Sequence, residues 1–245
     1  MVDPWLGETA CDPCFGQLDG DDALPDLAVG RLPVKTEAEL EQLVRKLIAY
    51  DTAPAGGLWR GKAVFVADNA DGAGDFAAFA ELSVAEQPAG ITVERVYFQP
   101  SLDARPVTGG SIADALQARA QTLAALSQGA GLVNYVGHSH AWQWAVTDPA
   151  VTPSYLLGLY DVDALANGDR LPIVLEMTCL TSAFQQPAYR AGRPSTSAWC
   201  STPPAARSPP GGRRGSVSRT ATMPSSAAST GHCGVSRQGR PCWVS

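Results

Sequence analysis

Along the chain, amphipathic stretches with helical spacing alternate with short runs that are almost wholly apolar. Thr36 and Glu39 frame a capping box, and Leu40, Leu43, Val44, Leu47 and Ile48 recur behind them at helical spacing, which predicts a long first helix. "TAPAGGLWRG" breaks it. "KAVFVAD" then reads as a buried strand ending in Asp68. The loop "NADGAGD" leads into a helix in "FAAFAELSVAEQ", and "ITVERVYF" alternates as a strand. "SIADALQARAQTLAAL" predicts a second long helix, capped by Ser111. "GLVNYVGH" is the next strand and "PSYLLGLYDVDALAN" the next helix, its acidic residues facing outward. "LPIVLEMTC" is a strand ending at Cys179.

Helix and strand alternate throughout. That order implies right-handed crossovers and an α/β, three-layer fold with a mainly parallel sheet flanked by helices. Residues 1–34 precede it and read as loop, rich in Asp, Gly and Pro. The acidic, loop-like opening is the expectation of an upstream segment that is missing. It shows no basic region followed by an apolar one, hence no signal peptide in this chain. No apolar run reaches the roughly 18 residues of a membrane-spanning helix.

Composition narrows the function classes. The 245 residues are 45% hydrophobic and 17% charged, enough for one substantial soluble domain. A formal net charge of −6 argues against a nucleic-acid groove, which needs clustered Lys and Arg. Of six cysteines, Cys11 and Cys14 form one CxxC with no second at zinc-ribbon spacing, so a local disulfide or free thiols are expected there rather than a metal.

The chain changes character after Phe184. Beyond Leu180 there is no Leu or Ile, beyond Glu176 no acid, and Pro, Ser, Gly, Ala and Arg dominate. Such a segment buries too little apolar surface to offset its ordering entropy, so residues 188–245 read as a low-complexity tail. Either the tail is disordered or it is out of frame. GC-rich codons read two bases on, from about residue 192, yield an amphipathic, globular-looking segment, which favours the frameshift.

Two strand ends carry residues capable of chemistry. His138 closes "GLVNYVGH" and Cys179 closes "LPIVLEMTC", and open parallel sheets bind ligands in the crevice beyond the carboxyl ends of their strands. Taken singly, such a Cys is a small buried hydrophobe and such a His a structural one. Together at neighbouring strand ends they suit a thiolate nucleophile and an imidazole that activates it. His140 competes with His138, since the two share a face of an extended chain. The His pair with an Asp could also hold zinc, but no third ligand follows at diagnostic spacing.

"GAGLVNYVGHSHAWQWA" followed by "LPIVLEMTCLTSAF" resembles the gingipain-type cysteine peptidases, peptidase family C25. The upstream "GQLDGDDALPDLAVGRLPVKTEAELEQLVRKLIAYD" is similar to that family's acidic loop, "GR" and helix. The resemblance implies a caspase-like fold in a peptidase domain over residues 1–187 and a Cys–His dyad of Cys179 and His138, the motif register choosing His138 over His140. It implies endopeptidase chemistry on peptide or protein substrates: thiolate attack on a peptide carbonyl, protonation of the leaving amine by His138, then hydrolysis of the thioester. Backbone N–H groups near Gly137, Ser139 and Cys179 would hold the oxyanion. Asp68, Asp71 and Asp75 occupy the loop where the family places a His-orienting acid and a specificity acid. That loop is equally suited to solvent or to a structural calcium ion, and no cofactor is required. Trp142 and Trp144 would wall the cleft or pack in the core. Family members act secreted or at the cell surface of bacteria. One departure stands out: the family's Gly after the His is Ser139 here. The alternatives are a non-catalytic module that keeps the fold and an inactive gene product with a broken carboxy-terminal segment.

Overall fold

The structure, a computed structural model, describes residues 2–3, 7–8, 11–20, 22, 24–53, 55–100, 110–182 and 219–221. They belong to two compact units, one within residues 1–30 and the other within Arg31–Met223. In the first, β1 (Val2–Asp3) pairs antiparallel with β2 (Gly7–Glu8), and Cys11 is disulfide-bonded to Cys14. The expected tail, residues 188–245, lies outside the described residues except for Arg219–Ala221. So do Phe184, Cys200, Cys233 and Cys242.

The second unit opens with α1 (Glu37–Thr52). Its start is set by two carboxyl and hydroxyl caps: Thr36 Oγ1 accepts from the Glu39 N–H at 3.2 Å, and Glu39 Oε2 accepts from the Lys35 N–H at 2.7 Å. The predicted box therefore forms, with its return bond one residue earlier. Only Leu43 of the helix is buried, while Leu40, Val44 and Ile48 stay exposed. The expected core-facing stripe is not packed, because α1 precedes the first strand of the sheet and is not a crossover between two paired strands.

The strands then follow in order: β3 (Lys62–Ala67), β4 (Thr92–Phe98), β5 (Ser111–Ile112) and β6 (Leu132–Val136). The helix α2 (Phe76–Ala85) lies between β3 and β4, and α3 (Ala115–Gln128) between β5 and β6. Three short strands come next, β7 (Ser139–His140), β8 (Gln143–Trp144) and β9 (Leu157–Gly158), then β10 (Ile173–Met177) and β11 (Arg219–Ala221). All pairs in the main sheet are parallel, in the order β11–β10–β6–β3–β4–β5. The α/β, mainly parallel reading holds.

Alternation along β3 sorts the two faces. Ala63, Phe65 and Ala67 pack with Phe76, Ala77 and Ala80 of α2, whereas Val64 and Val66 join Ala118, Ala125 and Leu126 of α3. Glu81 ties α2 down to β4, accepting from Arg95 Nε at 2.7 Å and from the Tyr97 hydroxyl. The Arg95 guanidinium holds the Glu81 carboxyl below its usual range, more than burial raises it.

Two predicted helix features are corrected. Ser111 does not cap α3: it belongs to β5, and the cap is Asp114, whose carboxylate accepts from the Gln117 N–H at 2.6 Å. The helix expected from "PSYLLGLYDVDALAN" is instead β9 followed by a 3₁₀ segment, Leu159–Ala164. Gly158 breaks the pattern, since a Cβ there would lie 2.5 Å from the Tyr155 ring. Nor do the acids all face outward. Asp161 is buried, takes both Arg119 guanidinium nitrogens in a two-pronged pair and accepts from the Gly158 N–H at 2.7 Å. β7, β8 and β9 form a small antiparallel sheet, so the crossover from β6 to β10 is a lobe and not an α-helix.

Asp161→Ala is expected to destabilise the protein by about 3 kcal/mol, because it strands the Arg119 cation in a largely enclosed position. Urea unfolding of the two proteins checks this. A loss under about 1 kcal/mol would mean that solvent already screens the pair.

Candidate active site

β3 and β6 are neighbours, yet β3 connects through α2 toward β4 while β6 connects toward β10 on its other side. This is a topological switch point, where the loops after the two strands part and leave a crevice. The loop after β3 carries Asp68, Asp71 and Asp75, and the loop after β6 carries Gly137 and His138. β10 lies on the far side of β6 in parallel register, with Met177 opposite Val136. His138 and Cys179 each lie two residues past that pair. Their chains are thus about 4.8 Å apart at the strand ends and at the same edge. Cys179 is exposed and is the free cysteine of the described residues.

The His138 imidazole is held from two sides. Its Nε2 lies 2.9 Å from Asp71 Oδ2, and the Phe76 ring meets it edge to face with centroids 5.1 Å apart. Asp71 is itself oriented, because its other oxygen accepts from the Ala73 N–H at 2.8 Å and its backbone exchanges two bonds with Gly74. The His138–Asp71 pair is about half exposed, so solvent screens it.

The His138 backbone is held more tightly than its ring. Its N–H donates to Asp68 Oδ2 at 3.2 Å, and its carbonyl accepts from the Ala145 N–H at 2.8 Å and from the Tyr135 hydroxyl. Gly137 must be glycine for this to fit: a Cβ would fall 2.4 Å from Asp68 Cβ and 2.7 Å from the Tyr135 hydroxyl oxygen. The Gly137 N–H points at the Met177 carbonyl, 3.4 Å away. Ser139 donates its hydroxyl to the Cys179 carbonyl, which also accepts from the Thr181 N–H at 2.8 Å.

Asp68 lies beneath the site with only 3% of its surface exposed. Burial pushes its carboxyl up to about 6, against the opposing pull of the Asn69 and His138 N–H groups. Burial likewise raises the Tyr135 hydroxyl well above its ordinary value.

The acidic loop thus divides its residues among different tasks. Asp71 meets the imidazole, Asp68 the backbone of His138, and Asp75 caps α2 by accepting from the Ala78 N–H at 3.0 Å. No group of three His, Cys, Asp or Glu side chains converges for a metal among the described residues. The His140 ring lies against Trp142, ring centroids 3.7 Å apart. Trp144 is fully buried, stacked on Tyr135 at 4.5 Å and donating from Nε1 to Glu176 at 2.7 Å, while Trp142 stays partly exposed. A cavity of about 450 Å³ lies at the opposite edge of the sheet, among Tyr50, Asp51, Arg60, Lys62 and Gln87, and neither His138 nor Cys179 lines it.

Phe76 and Tyr135 are absent from the sequence-based set. Tyr135 alternates with Val133 and reads as core, and only its place three residues before His138 hints at the contact. Phe76 reads as the first apolar residue of α2, with no signal for its neighbour.

The chain matches peptidase family C25 across residues 1–233. It belongs to that family. Among solved structures it is similar to the Arg-specific cysteine proteinase gingipain R, with a TM-score of 0.57 and 18% identity over 84% of this chain and 42% of that one. It is similar too to a complex of the Porphyromonas gingivalis RgpB pro- and mature domains, at 0.55 and 18%, covering 89% and 45%. A third structure, described as a protease, gives 0.52 and 18% over 78% and 37%. At this identity the likeness is one of fold, and the C25 chain spans less than half of each. No curated protein matches it.

The raised Asp68 carboxyl has a sign. In the folded state it keeps its proton up to about pH 6, whereas in the unfolded chain it loses it near 3.8. The stabilisation from protonated Asp68 is full below about pH 4 and is lost as the pH rises to about 6, by an amount on the order of 3 kcal/mol. Unfolding free energies of the native chain and Asp68→Asn, compared from pH 4 to 7, are expected to diverge across that window. Parallel curves would show that the carboxyl titrates as an ordinary one.

Proposed function

We propose that this C25 chain carries the catalytic centre of a cysteine endopeptidase acting on protein or peptide substrates. The observation that carries the reading is the register of β6 with β10, which sets His138 and Cys179 at one edge beside the switch-point crevice. If Nε2 carries its proton toward Asp71, Nδ1 is left as the basic nitrogen of the imidazole. That nitrogen takes the Cys179 proton, and the thiolate adds to the scissile carbonyl. The proton passes from His138 to the leaving amine, and a water activated by His138 then hydrolyses the thioester. Backbone N–H groups of Ser139 and Cys179 at this edge stabilise the oxyanion, while that of Gly137 points at the Met177 carbonyl. The activity belongs outside the cell or at its surface, as the family resemblance implies. Among the described residues no helix is long and apolar enough to cross a membrane.

A second reading, an inactive product whose carboxy-terminal segment is out of frame, is favoured by one observation. The apolar row Ala63, Phe65, Ala67 on β3 lies under α2, and Val136 on β6 joins it. On β10 the same face carries Ile173, Leu175 and Met177, and Ile173 and Met177 are exposed, with no described helix over them. Among the described residues, that face of the strand presenting Cys179 has no helix packed on it. Sequencing the coding DNA across codons 184–200 decides this, since an extra or missing base supports the second reading and an intact frame removes it.

Cys179→Ala is expected to lower hydrolysis of an unbiased peptide library by about 10³-fold or more, and Asp71→Asn by about tenfold. Undiminished turnover by Cys179→Ala would overturn the assignment of the nucleophile.

A further inference from the structure

Ser139 puts a hydroxyl where the resembling motif has a glycine, and the structure gives that hydroxyl a specific partner. It donates to the carbonyl of Cys179, across the gap between the ends of β6 and β10. The same carbonyl accepts from the Thr181 N–H, which closes a three-residue turn around Leu180. Leu180 takes a φ of 62°, the left-handed region that a branched side chain avoids. Its side chain is 41% exposed, whereas Thr181 at the end of the turn is buried at 2%. The buried Thr181 and the two hydrogen bonds to the Cys179 carbonyl hold the turn in place.

The hydroxyl is presented from a fixed base. Ser139 pairs with Trp144 across β7 and β8, and the Trp144 indole is fully buried and bonded to Glu176 of β10. The lobe is thereby tied to the nucleophile's strand at two points three residues apart, Glu176 and Cys179.

We propose that Ser139 is a positioning residue for Cys179: its hydroxyl, with the Thr181 N–H, fixes the strained turn that carries the thiol at the strand end beside His138. This rests on the reading of Cys179 as nucleophile. Losing the bond leaves one anchor on the carbonyl, lets the turn at Leu180 relax, and displaces the thiol from the imidazole without removing any reacting group.

The test compares Ser139→Ala and Ser139→Thr with the native chain in three measurements: peptide-library hydrolysis, thermal unfolding, and the pH profile of iodoacetamide alkylation read on the Cys179 peptide by mass spectrometry. In Ser139→Ala, kcat is expected to fall about tenfold with KM changed less than about twofold. The alkylation midpoint should shift, the unfolding temperature should change little, and Ser139→Thr should restore most of the rate. An alanine variant with native turnover and a native alkylation profile overturns the proposal. So does an alanine variant that loses its folded transition along with its activity while threonine fails to rescue it, because the role is then structural. Retained hydrolysis by Cys179→Ala is a separate failure, of the functional reading, since alkylation is read without turnover.

Discussion

Because β3 and β6 lie side by side while their connections leave toward opposite edges of the sheet, the loops that follow them cannot stay paired. The crevice between them is left by topology and is not carved out by side chains. Everything placed at the site depends on that parting. The β3 loop is free to turn back at Asp71–Gly74 and present a carboxylate, and the β6 end is free to turn His138 out of the sheet. The parallel register of β6 and β10 then sets Cys179 beside it. Handedness completes the arrangement: α2 covers one face, and α3 with the β7–β9 lobe covers the other, as right-handed crossovers in opposite directions require.

A strand end has few neighbours to hold it, and the site meets this with backbone bonds. His138 is held at its N–H by Asp68 and at its carbonyl by Ala145 and Tyr135, so the ring swings only about its side-chain torsions. The arrangement sets two effects against each other. Two N–H donors favour the ionised Asp68 carboxylate, while enclosure beneath Gly137 disfavours it, and the rise to about 6 shows that desolvation wins. Gly137 makes the enclosure this tight, since any side chain there would push Asp68 and Tyr135 off the strand end.

The fold was legible where period and length agreed. The apolar run "KAVFVAD", the alternating "ITVERVYF" and the helix after "NADGAGD" formed where they were read, and the parallel sheet follows from their order. The lobe after β6 was not legible, because its decisive contact is the pair of Arg119 with Asp161, 42 residues apart, which local periodicity cannot register. The same holds within the site. Both strand-end residues could be read, as could the acidic loop, but the division of Asp68, Asp71 and Asp75 among backbone, ring and helix cap needs coordinates. The apolar stripe of α1 shows the converse: periodicity reports a face that can be buried, and here Leu40, Val44 and Ile48 remain exposed.

The half-exposed ring of His138 and the exposed Cys179 constrain what else the chemistry needs. Ion pairing between a thiolate and an imidazolium gains most in a site shut off from water, where the effective dielectric falls. At this edge the described residues supply a floor, of Asp68, Tyr135 and Gly137, and one wall, of Phe76 and the Asp71 turn. The other wall has to stand on the β10 side, over the face where Ile173 and Met177 are exposed. Apolar side chains exposed on a strand are a surface that folding favours covering, at about 25 cal/mol per Å². Packing over this face of β10 would therefore also shield the neighbouring Cys179 side chain from water. On the proposed reading of Cys179 as nucleophile, stability of the β10 edge and its reactivity then rise or fall together.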